Sequence, residues 1–240
     1  MRRMRRQVPI ALLLVVAAAS LGSCGSSDSG GTTADIPSGN EKVTIPAATP
    51  QPKAPAVAGC KQVKPPAPKP DGGAKRPTKL LDASKTWTLR FTTSCGAFTV
   101  KLDTKGAPHA SASMVALANA GFFKNTIFHR IVPGFVIQGG DPTGKGTGGP
   151  GYSTHDKPPP NARYTRGVVA MAKTPQEPRG TAGSQFYVVT GADAGLHADY
   201  AIIGRVVKGL PVVLRIGMLG DAAEQPTQTV ELYDVKATGS

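Results

Sequence analysis

Phe128-His129-Arg130-Ile131-Val132-Pro133-Gly134-Phe135-Val136-Ile137-Gln138-Gly139-Gly140-Asp141 sets one arginine and one glutamine among apolar and aromatic side chains and closes on a glycine pair. Phe128, Arg130 and Val132 alternate with His129, Ile131 and Pro133, the pattern of a strand. Pro133-Gly134 signals a turn, and Phe135 to Gln138 reads as a second strand ended by Gly139-Gly140. Residues two apart on a strand share a face. The spacing therefore predicts Phe128 beside Arg130 and Val136 beside Gln138: a cationic donor next to an apolar wall and a neutral amide. The stretch contains no nucleophile and no acid–base pair.

The stretch resembles the signature of the cyclophilins, peptidyl-prolyl cis–trans isomerases. A second block carries the same likeness: Gly167-Val168-Val169-Ala170-Met171-Ala172, then Ala182-Gly183-Ser184-Gln185-Phe186-Tyr187-Val188-Val189-Thr190. A third, Leu196 to Val207, is similar to the next piece of the family barrel. Together they cover roughly residues 85–237. The resemblance implies that Arg130, Phe135 and Gln138 are the catalytic trio. It implies that Phe135, Val136, Tyr187 and Leu196 hold the proline ring, and that Gln138 and Gln185 bond the substrate backbone. Ala172, Lys173 and Tyr200 would line the groove. Lys173 replaces the family's usual asparagine and Tyr200 its pocket histidine. Gly195 stands where many members carry the tryptophan that contacts cyclosporin, which implies weak inhibition by that ligand. Without the resemblance, Arg130 would also suit a surface ion pair, and the apolar residues ordinary core packing.

The chemistry suits these residue types. Rotation about a peptide bond faces a barrier of roughly 18–20 kcal/mol from C–N double-bond character. A donor aimed at the prolyl nitrogen lone pair favours the twisted state without breaking a bond. A guanidinium, planar and rich in N–H groups, is such a donor. The implied substrates are proline-containing polypeptides, with no cofactor. The four histidines show no metal-ligand spacing. Gly144-Lys145-Gly146-Thr147-Gly148-Gly149 lacks the spacing of a phosphate loop, because Pro150-Gly151 follows.

Outside the domain the chain changes character. Arg2, Arg3, Arg5 and Arg6 precede an apolar run, Val8 to Ala19, too short to span a bilayer as a mature helix. Leu21-Gly22-Ser23-Cys24 resembles a bacterial lipobox, which implies cleavage after residue 23 and a lipid on Cys24. The alternative is an ordinary signal peptide. Residues 24–83 carry ten prolines, few aliphatics and no aromatics, the composition of an unfolded tether. Residues 84–240 then form the folded domain. The expected location is extracytoplasmic, anchored to the bacterial membrane, and the protein is read as a monomer.

The net charge of +13 is spread along the chain, with 8 basic and 5 acidic residues in the tether and 16 and 10 in the domain. Scattered charge on an exported protein argues against a nucleic-acid partner. It fits attraction to anionic lipid or wall polymer, or solubility alone. Of the three cysteines, Cys60 and Cys95 are expected to pair in an oxidising compartment, the alternative being two free thiols. Period-two runs at Thr86–Thr92, Ala97–Leu102 and the signature stretch, apolar runs at Val168–Ala172, Phe186–Thr190 and Ile202–Val207, a closing strand at Thr229–Val235, and helices after Pro108 and from Leu210 predict a mainly β fold: a closed, eight-stranded antiparallel barrel capped by two helices.

Overall fold

The structure, a computed structural model, describes residues 58–240. The signal segment, Cys24 and the first part of the tether lie outside the described residues. Eight strands close a barrel in the order β1-β10-β3-β4-β8-β6-β9-β2, every neighbouring pair antiparallel. They are β1 (Trp87–Thr93), β2 (Gly96–Leu102), β3 (Thr126–Val132), β4 (Val136–Gly139), β6 (Val168–Met171), β8 (Phe186–Val189), β9 (Ile202–Lys208) and β10 (Glu231–Gly239). Two short strands, β5 (Thr154–His155) and β7 (Thr181–Ala182), pair separately. Helices α1 (Pro108–Asn119) and α2 (Leu210–Gly217) complete the fold.

Alternation builds the interior. Leu89 and Phe91 of β1 and Phe98, Val100 and Leu102 of β2 point inward. Phe128, Ile131, Ile137, Val188 and Ile203 meet them there. Phe91 stacks on Phe98 at 4.7 Å between ring centroids, and Phe186 packs against Phe91, Phe123 and Phe128. Side chains fill the barrel, as its strand number allows.

Helix α1 begins with Pro108, where a missing N–H costs nothing. Its orphan donors are met from far along the chain: the Asp156 carboxylate accepts the N–H of His109 at 3.3 Å and of Ala110 at 2.6 Å. A negative group at this end also suits the helix dipole.

Strands β4, β6 and β8 are buried on both faces apart from Gln138. Opposite the barrel interior, Val136, Val168, Ala170, Tyr187 and Val189 form a second cluster with Tyr164. Phe135, Ala172, Leu196 and Tyr200 pack against it. This outer cluster supports the site.

The boundary between tether and domain differs from the sequence expectation. Residues 58–83, expected from composition to be tether pinned to the barrel only through a Cys60–Cys95 bridge, run as a strap over the barrel. Lys61 N–H donates to Ser94 O at 2.8 Å, Lys69 N–H to Pro142 O at 2.9 Å and Ala74 N–H to Pro150 O at 3.0 Å. The Lys69 ammonium reaches the carbonyls of Gly121, Phe122 and Lys124 at 3.2, 2.5 and 3.3 Å, just past the end of α1, where a cation is favourable. A disulfide joins Cys60 to the fully buried Cys95. The composition rule counts apolar surface, whereas this segment is held largely by backbone hydrogen bonds, the Lys69 ammonium, the Asp71 carboxylate and a covalent link, with only Ala74 and Leu81 joining Cys60 in packing against the core.

The bridge closes a sequence separation of 35 residues. Cys60→Ser is expected to lower the unfolding free energy by up to about 4 kcal/mol on the loop-closure estimate. It should also open the Lys61–Gln62 bond to trypsin. Guanidinium unfolding and limited proteolysis check this. Unchanged digestion would mean that the strap stays down without the bridge.

Candidate active site

Arg130 leaves β3 through an irregularity. Phe128 pairs with Gly139, yet Arg130 pairs with Gln138, so His129 is an extra residue opposite no partner of its own. Such a bulge re-aims the side chains beyond it. Phe128 and Ile131 both enter the barrel core, whereas Arg130 projects to the outer face. The expectation that Phe128 and Arg130 share a face is therefore corrected: strict alternation fails at His129. Val136 and Gln138 do share a face as expected. Val136 belongs to the outer cluster and both line one cavity.

That cavity, about 260 Å³, is lined by Arg130, Phe135, Val136, Gln138, Ala172, Lys173, Tyr187, Leu196 and Tyr200. Every site residue expected from sequence within the described residues lies here except Gln185. Gln185 lines an adjoining cavity of about 470 Å³ that shares Gln138, Ala172 and Lys173. The two form one continuous groove. Gly195 sits at φ +63°, and nothing lies within 4 Å of where its Cβ would be, so the rim is open there.

A polar chain runs along this groove. Arg130 Nη1 donates to Gln138 Oε1 at 3.3 Å. Gln138 Nε2 donates to Gln185 Oε1 at 3.1 Å. Gln185 Nε2 donates to the carbonyls of Gly146 and Gly148, each at 2.9 Å. At the other end, Arg130 Nε donates to Glu224 Oε2 at 2.6 Å. The guanidinium thus has both an ion-pair partner and a place in the cavity wall.

The glycine loop beyond Gln185 is held by Asp141. Burial alone would raise this carboxyl, but N–H and hydroxyl donors from Thr143 and backbone donors from Gly148 and Gly146 outweigh it. The carboxyl therefore lies below the usual carboxylate range. Gly140 precedes it at φ +86°, where an added Cβ would collide with the Ser184 carbonyl. The Ser184 hydroxyl donates to Gly140 O at 2.8 Å. This explains the second glycine of the pair that closes the signature stretch.

The apolar wall is stiffened by residues that the sequence reading missed. Tyr164, fully buried, packs at an angle to Tyr187 and Tyr200, with centroids at 6.3 and 5.9 Å. Its hydroxyl donates to Tyr200 O at 2.8 Å and accepts Tyr200 N–H at 3.0 Å. Lys173 lies over the Tyr200 ring at 5.5 Å and donates to the carbonyls of Thr174 and Glu177. Its charge is thus turned toward the 174–181 segment. Tyr164 carries no sequence signal of its own, being a single aromatic between loop residues. Glu224 is equally silent in sequence, lying 94 positions from Arg130.

With the geometry in view, comparisons place the chain among known proteins. The sequence model of the family described as "Cyclophilin type peptidyl-prolyl cis-trans isomerase/CLD" matches residues 88–237. The chain belongs to this family. It is 37% identical over 151 residues to "Peptidyl-prolyl cis-trans isomerase-like 1" of Aspergillus fumigatus, covering 61% of this chain and 92% of the relative. It is 36% identical over 152 residues to the protein of the same name in Mus musculus, covering 61% and 90%. A crystal structure of a Cryptosporidium parvum cyclophilin type isomerase, in the presence of the dipeptide Ala-Pro, superposes with a TM-score of 0.59 at 32% identity. The match covers 64% of this chain and 99% of that one. The chain is thus a cyclophilin-type peptidyl-prolyl isomerase, a class that acts on proline-containing polypeptides. These relatives are eukaryotic.

His129, the bulged residue, has its ring against Gly146 of the glycine loop. Both ring nitrogens are buried without partners among the described residues, and an added Cβ at Gly146 would touch the ring. Burial lowers its pKa below 6.5, helped by Arg130 and opposed by Asp141. Between the ordinary imidazole value and the lower folded one, the unfolded chain binds a proton that the folded chain refuses. Stability therefore falls as pH drops below about 6.5. Urea midpoints measured downward from pH 7.5 should show this loss in the wild type and a shallower one in His129→Leu. Parallel curves would refute it.

Proposed function

We propose that this isomerase turns X-Pro bonds in exported or cell-envelope proteins, with Arg130 donating to the prolyl nitrogen. The observation that carries the mechanism is the placement of Arg130 in the wall of a 260 Å³ cavity whose other sides are Phe135, Val136, Tyr187, Leu196 and Tyr200. A proline ring against these apolar side chains brings its nitrogen within reach of the guanidinium. Gln138 and Gln185 would bond the substrate backbone on either side. Donation to the nitrogen withdraws its lone pair from the carbonyl, lowering the rotation barrier. It accelerates the reaction only because the bond to nitrogen strengthens as the peptide twists.

A protease-coupled assay on an Ala-Pro tetrapeptide tests the mechanism. The wild type should exceed the uncatalysed rate, and Arg130→Ala should lose about 10²-fold or more, the loss typical when one preorganised donor is removed. A wild type with no rate above background would leave a proline-binding module instead. Full activity in Arg130→Ala would remove Arg130 from the mechanism.

Two features support the location. The basic and apolar start of the chain ends at Cys24, and the Cys60–Cys95 bridge suits an oxidising compartment. In a bacterial host, the wild type is expected in the membrane fraction with label from a radioactive fatty acid. Cys24→Ala should lose both label and membrane association. Label retained in the variant would rule out Cys24 as the anchor.

A further inference from the structure

The contact between Arg130 and Glu224 is built from both sides. Glu224 lies on the 218–230 connection between α2 and β10, outside the signature blocks. It adopts φ +63°, a region that residues other than glycine seldom occupy. The turn around it is tied down: Asp221 Oδ1 accepts the N–H groups of Ala223 at 2.9 Å and Gln225 at 2.8 Å. Glu224 N–H donates to Asp221 O at 3.1 Å, and Ile131 N–H donates to Glu224 O at 3.1 Å. This last bond fastens Glu224 to the residue next to Arg130, just after the His129 bulge. The Glu224 carboxylate then meets Arg130 Nε at 2.6 Å.

The pair does little for stability. Its side chains are 33% and 47% exposed, and ion pairs of that exposure contribute little. Its effect is geometric. Arginine is long and loses much rotamer freedom when held in one place. Here Glu224 takes Nε from the side and Gln138 takes Nη1, while Nη2 has no partner among the described residues.

We infer that Glu224 is the positioning residue of Arg130, fixing the guanidinium so that its remaining N–H groups point into the proline cavity. This deepens the proposed mechanism and rests on Arg130 being the donor. Glu224 is not among the residues that line the proline cavity. Its contribution appears only where orientation matters, in the twisted state. An interaction of that kind lowers kcat and leaves KM unchanged when removed.

The test uses the full chain with Glu224→Ala, Glu224→Gln and Arg130→Ala, assayed by the tetrapeptide reaction and by melting temperature. Glu224→Ala should lower kcat about tenfold, less than the ~10²-fold that a 1 Å misplacement of a reacting group can cause. Glu224→Gln, which keeps the length and an acceptor oxygen, should recover part of the rate. KM and melting temperature should stay near wild type in Glu224→Gln. The Arg130 Nε–H resonance, sharp in the wild type, should exchange with water faster in Glu224→Ala. A large loss in Arg130→Ala with unchanged kcat in both Glu224 variants overturns this inference alone. Full activity in Arg130→Ala overturns the mechanism and this inference together. A rate loss in Glu224→Gln that tracks an equal loss of thermal stability also overturns it, since the residue would then be structural.

Discussion

One extra residue in β3 governs the site. A strand in a closed barrel must send alternate side chains inward, and an arginine in phase with Phe128 would be driven into an aromatic core. His129 breaks the phase. Phe128 and Ile131 both stay inside, and the arginine between them emerges on the outer face opposite Gln138. The hydrophobic interior and the cationic donor can therefore occupy neighbouring positions of one strand. The bulged imidazole is left under the glycine loop with both nitrogens unpartnered among the described residues. This cost of burying polar atoms is accepted at a place where the chain has to bend.

The rest of the site follows from two-sided burial. In β4, β6 and β8 one face fills the barrel and the other builds a second apolar cluster. That cluster would be a solvent-exposed patch if Tyr164, Leu196 and Tyr200 did not cover it in part. The uncovered remainder is the cavity. A polar chain from Glu224 through Arg130, Gln138 and Gln185 to the Gly146 and Gly148 carbonyls runs along its edge. Each amide in it both donates and accepts, so moving one member disturbs the next.

Much of this was legible in the sequence because it depends on local pattern. Alternating and apolar runs located the barrel strands, Pro108 the first helix, and the three motif blocks most residues of the cavity. What escaped notice depends on contacts between distant positions. The bulge was invisible because the alternation Phe128, Arg130, Val132 reads as unbroken until the partner strand is known. Glu224, Asp156 and Tyr164 act through side chains that reach across long sequence separations, and none lies in a periodic run. The strap was misplaced for a different reason. Proline-rich sequence without aromatics lacks a core-forming signal, yet proline also removes conformational freedom from the unfolded chain. Few anchors are then needed to hold such a segment down.

Those anchors bear on the groove. Asp71 Oδ1 accepts Gly149 N–H at 2.7 Å, Gly72 N–H donates to Gly149 O at 3.0 Å and Ala74 N–H to Pro150 O at 3.0 Å. The strap therefore grips the C-terminal end of the same glycine loop that Asp141 and Gln185 hold from within. Asp71 itself lines the larger cavity. A loop with this many glycines has little stiffness of its own. Its shape comes from the groups on either side: the catalytic-side amides on one and a segment outside the matched family region on the other. A support that stiffens this loop therefore also holds the Gly146 and Gly148 carbonyls, and through them the Gln185 amide, in place along the groove.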